Sequence, residues 1–268
     1  MEFRVVIPAR YASTRLPGKP LLDIGGLPMI QRVVERACAS AATEVLVATD
    51  DERIAAVVRH PRNPGARIAV LTDAALASGT DRVAAVAAAR GWPDSLIVVN
   101  VQGDEPFLPS QLIDQAAATL AADPGAEIAT LATPIGTLAE FIDPNVVKVV
   151  TDLQGRALYF SRAAIPFTRD VAVADATTPV EFGGAMRHIG LYAYRAGALR
   201  RLVQLAPSPL ETRERLEQLR ALQNGMAIAV AQAAVVPDPG VDTEADLRRA
   251  RTNHEQWAHT GNASKTRR

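Results

Sequence analysis

The residues best placed to do chemistry lie in a short stretch where an apolar run, Phe3 to Ile7, ends at Pro8 and gives way to Arg10, Arg15 and Lys19. Proline cannot continue a central ladder, so the strand stops and the chain turns outward. Between the three cations lie Ser13, Thr14 and the pair Pro17-Gly18, where one fixed and one free φ let the backbone bend around a ligand. Guanidinium forks suit phosphate oxygens and an ammonium adds a point charge, so the loop could neutralise a polyphosphate. Read alone it is also a solvated, charge-rich loop. Its position after the first strand of an α/β pattern favours a ligand, because such sheets bind at the carboxyl ends of their strands.

A second constellation is Asn100-Val101-Gln102-Gly103-Asp104-Glu105-Pro106, which follows the apolar run from Leu96. An acid at a strand end opposite a cationic loop is where Mg²⁺ would bridge protein and phosphate, so Asp104 is the natural ligand, with a plain polar turn as the alternative. Asp242, in Gly240-Val241-Asp242-Thr243, precedes a helical pattern. Either it or Thr243 is an N-cap by position, and Asp242 serves a metal only if it faces the crevice. Ser78-Gly79-Thr80-Asp81 precedes another helical run, Val83 to Arg90, with capping expected from Thr80 or Asp81 and amide contacts to a nucleotide as the functional option. Alternation over Arg187 to Arg195 sets His188, Gly190, Tyr192 and Tyr194 on one strand face, able to line a polyol pocket. Glu214 and Gln218 share a face if Arg213 to Gln223 is one helix.

These residues need a scaffold. Strand-like runs recur at Phe3 to Ile7, Glu44 to Thr49, Arg67 to Leu71, Leu96 to Val101 and Glu127 to Ala132, with helical patterns between most of them, which predicts a mainly parallel sheet flanked by helices. After Pro28, the residues Met29, Ile30, Val33, Val34 and Ala37 form one apolar stripe. From about Val146 the strands crowd together, at Val146 to Val150, Ala157 to Phe160 and Ile189 to Tyr194, predicting an antiparallel elaboration over about residues 146–196 that could serve dimerisation. Thr168 to Gly184 reads as irregular. Helices follow at Gly197 to Leu205 and from Thr243 into His254, with a strand between them at Ala227 to Ala231. The reading is one domain over residues 1–257 and a flexible polar tail at 258–268.

Composition removes several classes. The 268 residues are 48% hydrophobic, enough for a sizeable core, and 29 basic against 29 acidic residues leave no global field for nucleic acid or an anionic membrane. The single cysteine, Cys38, lies in an apolar helical pattern and offers no disulfide framework or cysteine-rich metal site. The chain opens on a strand and carries no membrane-length apolar run, so a cytoplasmic protein is expected. No Gly-x-Gly-x-x-Gly loop, Walker lysine or Gly-x-Ser-x-Gly elbow occurs, which disfavours hydride transfer, P-loop hydrolysis and serine hydrolysis.

With these motifs in hand, the chain resembles the 3-deoxy-manno-octulosonate cytidylyltransferases from Val5 to about Arg251. Ile7-Pro8-Ala9-Arg10-Tyr11 to Pro17-Gly18-Lys19 is similar to that family's nucleotide loop, and Val101-Gln102-Gly103-Asp104-Glu105-Pro106 to its metal-binding strand end. Tyr159-Phe160-Ser161-Arg162, Arg187-His188-Ile189-Gly190-Leu191-Tyr192, Leu216-Glu217-Gln218-Leu219 and Gly240-Val241-Asp242-Thr243 extend the resemblance. It implies a Rossmann-like nucleotide-diphospho-sugar transferase fold, usually a homodimer. Arg10, Ser13, Arg15 and Lys19 would hold the phosphates of CTP, with Ser78, Gly79 and Thr80 near the cytidine. Asp104 and Asp242 would coordinate Mg²⁺, and Lys19, Arg10, Asp104 and Asp242 would carry catalysis. Gln102, Arg162, His188, Tyr192, Glu217 and Gln218 would line the sugar pocket. The implied reaction is transfer of the cytidylyl group of CTP to the anomeric hydroxyl of 3-deoxy-D-manno-octulosonate (Kdo), giving CMP-Kdo and pyrophosphate for lipopolysaccharide synthesis. The alternatives are the same reaction on 8-amino-Kdo or a sialic acid, and a CTP-binding protein without turnover.

Overall fold

The structure, a computed structural model, describes residues 1–12, 16–167 and 184–263, with side chains up to residue 253. Ser13, Arg15 and nearly all of the irregular segment Thr168 to Gly184 lie outside the described residues. Two compact units divide the chain.

One unit comprises residues 4–90, 100–110 and 237–268. Its strands Phe3–Ala9, Glu44–Thr49 and Ala69–Leu71 pair in parallel, with Val6 opposite Leu46 and Val47 opposite Ala69. Val5, Val6, Ile7 and Leu46 to Ala48 are buried without alternation, as expected of strands covered on both faces. The predicted stripe on the helix Met29–Cys38 covers this sheet, with Met29, Ile30, Val33, Val34 and Ala37 all fully buried. Further helices run over Glu52–Val57, Gly79–Ala89 and Glu244–Ala263. Val241, Leu247 and Ala250 share a core cluster with Leu16, Ile24 and Met29, so the late segment 237–253 packs against the chain's first loop. That packing is what brings Asp242 back to Lys19 over more than 200 residues.

The other unit comprises residues 1–3, 91–99 and 111–236. Strand Ile128–Pro134 runs antiparallel to Met186–Arg195 and parallel to Ile228–Gln232. Lys148–Thr151 and Ala157–Ser161 form the antiparallel elaboration, joined to Met186–Arg195. The α/β class and its mainly parallel order therefore hold. One expectation fails: Arg213 to Gln223 is not one helix. It is two, Pro209–Glu214 and Gln218–Gln223, broken at Arg215, whose φ of 53° is left-handed. Glu214 and Gln218 do not share a helix face. No helix among the described residues is long and apolar enough to cross a membrane.

Candidate functional site

The first unit carries a crevice of about 260 Å³, lined among others by Arg10, Lys19, Gly79, Gln102, Asp104 and Asp242. Two glycines make its shape possible. Gly18 takes a φ of 65°, and a side chain there would also press on the Tyr11 ring at 3.3 Å. At Gly103 a Cβ would sit 2.8 Å from the Pro8 carbonyl oxygen, so only glycine lets the Asp104 turn lie against the end of the first strand.

Lys19 stands at the crevice centre. It opens the short 3₁₀ turn Lys19–Leu21, and its Nζ donates to Asp104 Oδ2 at 2.7 Å, Asp242 Oδ1 at 3.0 Å and the Val241 carbonyl at 3.0 Å. Val241 N donates to the Asp104 carbonyl at 2.9 Å, which locks the two acid-bearing segments together. Burial works to lower the Lys19 pKa, but the two carboxylates outweigh it and hold the ammonium above its usual value. Glu105 is pushed up to about 8, first by burial and then by the charges of Asp104 and Asp242, with Lys19 opposing. Burial beside two acids thus favours the neutral form of Glu105.

Of the two capping expectations, the one at Asp242 or Thr243 resolves to Thr243, and the one at Thr80 or Asp81 fails. Thr243 caps the last helix: its Oγ1 accepts from Asp246 N at 3.2 Å, and Asp246 Oδ2 accepts from Thr243 N at 2.9 Å. Asp242 is therefore not the cap, and its carboxylate faces Lys19. The helix Gly79–Ala89 is capped by Ser78, which Asp81 reciprocates in a capping box, and not by Thr80 or Asp81. The Ser78 hydroxyl is thus held by Asp81 at 2.9 Å.

Behind this turn, Arg82 is 2% exposed and was not singled out from the sequence. Its guanidinium donates to Asp50 Oδ2 at 2.6 Å, Thr72 Oγ1 at 2.7 Å and the Asp73 carbonyl at 3.1 Å, fastening the Ser78-Gly79-Thr80 turn to the end of strand Glu44–Thr49. Removing one partner of such a pair leaves a desolvated charge. Arg82→Met is expected to cost roughly 3 kcal/mol of stability, read as a lower denaturant midpoint at unchanged slope, and the double variant with Asp50→Leu should recover part of the loss.

The remaining candidates belong to the other unit. Arg162 Nε donates to the Glu214 carbonyl at 2.8 Å and Nη1 to the Pro144 carbonyl at 2.9 Å, so two of its three guanidinium nitrogens are engaged by backbone. Glu214 accepts from Ser161 Oγ at 2.7 Å and from Arg162 N at 3.0 Å. The rings of His188 and Tyr192 lie 5.2 Å apart, and those of Tyr192 and Tyr194 stack at 5.8 Å. The Tyr192 hydroxyl is buried and has no hydrogen-bond partner among the described residues. Burial, then the charges of Tyr194 and Glu217, raise its pKa well above the usual value, so it remains a donor. Glu217 stands at the N-terminal end of the helix Gln218–Gln223. Buried Lys148 is another residue that sequence reasoning missed: its Nζ donates to the carbonyls of Asp143, Val146 and Arg162, and so steadies the Arg162 backbone.

A family model described as "Cytidylyltransferase" matches residues 4–228. Proteins named 3-deoxy-manno-octulosonate cytidylyltransferase are 54% identical to this chain. The one from Nitrosococcus oceani aligns over 94% of this chain and 96% of its own length, and the one from Idiomarina loihiensis over 94% and 98%. A solved structure of CMP:2-keto-3-deoxy-manno-octonic acid synthetase complexed with CTP superposes with a TM-score of 0.84 at 40% identity, covering 96% of this chain and all of that one. A cytidylyltransferase from Leptospira borgpetersenii, 18% identical with a TM-score of 0.55 over 94% of this chain and 86% of its own, shares the fold.

Proposed function

The chain belongs to the 3-deoxy-manno-octulosonate cytidylyltransferase family, and from that membership we propose how its residues divide the work of moving a cytidylyl group from CTP to Kdo. The enzyme is a nucleotidyltransferase: the anomeric hydroxyl of the sugar attacks the α-phosphorus, and pyrophosphate leaves. The observation that carries the assignment of roles is the convergence of Asp104 and Asp242 on the one ammonium of Lys19.

Both substrates are anionic, so their approach needs neutralisation and alignment. Arg10 and Lys19 bind the triphosphate, with Ser13 and Arg15 of the same loop. The Ser78-Gly79-Thr80 turn, held by Arg82 and Asp50, takes the cytidine end through backbone amides, since the Ser78 hydroxyl is engaged by Asp81. Asp104 and Asp242 suit Mg²⁺: they are hard oxygen donors drawn to one point, and such an ion uses one or two carboxylates plus phosphate and water. A metal held by Asp104 and Asp242 would supply positive charge to the phosphate oxygens. Lys19 would exchange its carboxylate partners for phosphate oxygens, keeping its charge.

Gln102 lines the phosphate crevice, and we assign Arg162, His188, Tyr192, Glu217 and Gln218 to the sugar. Support comes from the Tyr192 hydroxyl, a buried donor of the kind a polyol satisfies, and from Arg162, whose Nε and Nη1 are engaged while Nη2 has no partner among the described residues. The setting we propose is cytoplasmic, where CTP is made. We propose a homodimer formed through the antiparallel elaboration, on which Leu158 is 62% exposed and Phe167 87%.

Pyrophosphate release from CTP and Mg²⁺, measured in parallel with Kdo, 8-amino-Kdo and a sialic acid, tests substrate choice. Kdo is expected to give a kcat/KM at least about tenfold above either alternative, the discrimination of roughly one misplaced polar group. Release that favours one of the others would reassign the sugar, and silence with all three would leave only a CTP-binding protein.

A further inference from the structure

Strand Ile128–Pro134 pairs regularly with Met186–Arg195 until the register jumps: Ile189 faces Leu131, but Tyr192, not Gly190, faces Thr130. Gly190 and Leu191 form a bulge, and the fully buried Thr130 side chain fills it. Thr130 Oγ1 lies 2.7 Å from the Leu191 carbonyl oxygen, 3.0 Å from that of Ile189 and 3.0 Å from His188 Nε2.

We propose that Thr130 is a positioning residue that fixes the tautomer of His188, so that the ring presents a bare Nδ1 as acceptor to a hydroxyl of the sugar; this rests on the reading of the site given above. A threonine hydroxyl has a single proton, and two of its three neighbours here are carbonyls, which only accept. Were the proton given to Nε2, both carbonyl oxygens would face lone pairs at 2.7 and 3.0 Å. The hydroxyl therefore donates to a carbonyl, at the shorter distance that of Leu191, and Nε2 carries the hydrogen and donates to Oγ1. A neutral imidazole has one N–H, so Nδ1 is left as an acceptor. Burial pushes the imidazole pKa down to about 3, so the ring is neutral at physiological pH.

Ring orientation is fixed as well. Phe160 meets His188 edge-on at 5.0 Å, and Tyr192 lies on another side at 5.2 Å. Nδ1 has no hydrogen-bond partner among the described residues, and neither does the Tyr192 hydroxyl. An acceptor and a donor on neighbouring rings match a ligand hydroxyl, which gives one proton and takes one. A carboxylate, acceptor only, would find no donor at Nδ1. The arrangement therefore makes His188 a reader of sugar hydroxyls and leaves the acid group of the sugar to Arg162.

The test uses the full-length protein labelled with ¹⁵N at its four histidines, His188 being assigned by His188→Gln. Two-bond ¹H–¹⁵N correlation is expected to report the Nε2–H tautomer in the wild type and a mixture in Thr130→Val. In kinetics, Thr130→Val should raise KM for Kdo about tenfold, the effect of one misdirected hydrogen bond, with KM for CTP and kcat changed less than about twofold. Thr130→Ser, which keeps the hydroxyl, should restore both. An Nδ1–H signal in the wild type would overturn the inference, as would a Thr130→Val variant with unchanged spectrum and KM, or a folded Thr130→Ser that fails to restore them. If Thr130→Val does not fold, the wild-type spectrum and Thr130→Ser decide. If Kdo were not a substrate, turnover would be missing in the wild type, while its spectrum would still judge the tautomer.

Discussion

Asp104→Asn is expected to lose turnover by at least about a thousandfold while CTP binding without metal changes less than about tenfold. The amide has the carboxylate's shape, so the hydrogen bond from Lys19 at 2.7 Å and the backbone bond from Val241 N to the Asp104 carbonyl both have partners after the change. What the change would remove is the charge proposed to hold Mg²⁺, an interaction expected to strengthen as charge develops in the transition state. The loss should therefore fall on kcat and not on nucleotide affinity. Pyrophosphate release at saturating CTP gives the first quantity, and calorimetric titration of CTP in EDTA gives the second. A variant that retained a tenth of wild-type turnover would remove Asp104 from the metal site.

Lys19→Met should combine two losses, one of turnover and one of stability. Turnover is expected to fall roughly a hundredfold or more, because a preorganised cation no longer meets the triphosphate. The protein without ligands should also become less stable, since Asp104 and Asp242 would face each other across the space that Nζ holds at 2.7 and 3.0 Å. Like charges at such separation repel, and a divalent cation relieves them. Mg²⁺ should accordingly raise the melting temperature of Lys19→Met more than that of the wild type, where the ammonium competes for the same oxygens. The pH dependence has a definite sign. The folded pKa of Lys19 lies above its ordinary 10.5, so its contribution to stability is complete below that value and is lost as pH rises through the folded pKa. Equal Mg²⁺ responses in the two proteins would contradict this picture.

Much of the framework is legible in the residues themselves. The uninterrupted apolar runs at Phe3 to Ile7 and Glu44 to Thr49 announce strands buried on both faces, and the stripe after Pro28 announces the helix that covers them. Motif resemblance brings Lys19, Asp104 and Asp242 together, whereas spacing alone leaves Asp242 between a cap and a ligand. Structure separates those roles through Thr243 and Asp246, because a hydroxyl and a carboxylate three residues apart close a box that excludes Asp242. The polar residues that brace the site were not legible. Arg82 has no local signal that sets it apart, yet it is buried because Asp50, Thr72 and the Asp73 carbonyl converge on it from two strand ends. Lys148 is hidden in the same way, since its partners are backbone carbonyls that no composition reports. A continuous helix over Arg213 to Gln223 would set Glu214 and Gln218 on one face. The left-handed Arg215 ends that helix and leaves Glu214 to Ser161 and Arg162. Bulges have no periodic signature either, so the pairing of Tyr192 with Thr130 could not be anticipated from alternation.

The central claim is that the acceptor sugar attacks the α-phosphorus of CTP within the site built around Lys19, Asp104 and Asp242. Phosphorus-31 NMR of the protein with CTP, Mg²⁺ and Kdo reads it directly. A single new phosphodiester resonance is expected to grow in equal amount with pyrophosphate, in the wild type and not in Asp104→Asn. Growth of CDP together with a sugar phosphate or inorganic phosphate would place the attack at the γ-phosphorus, and would contradict it.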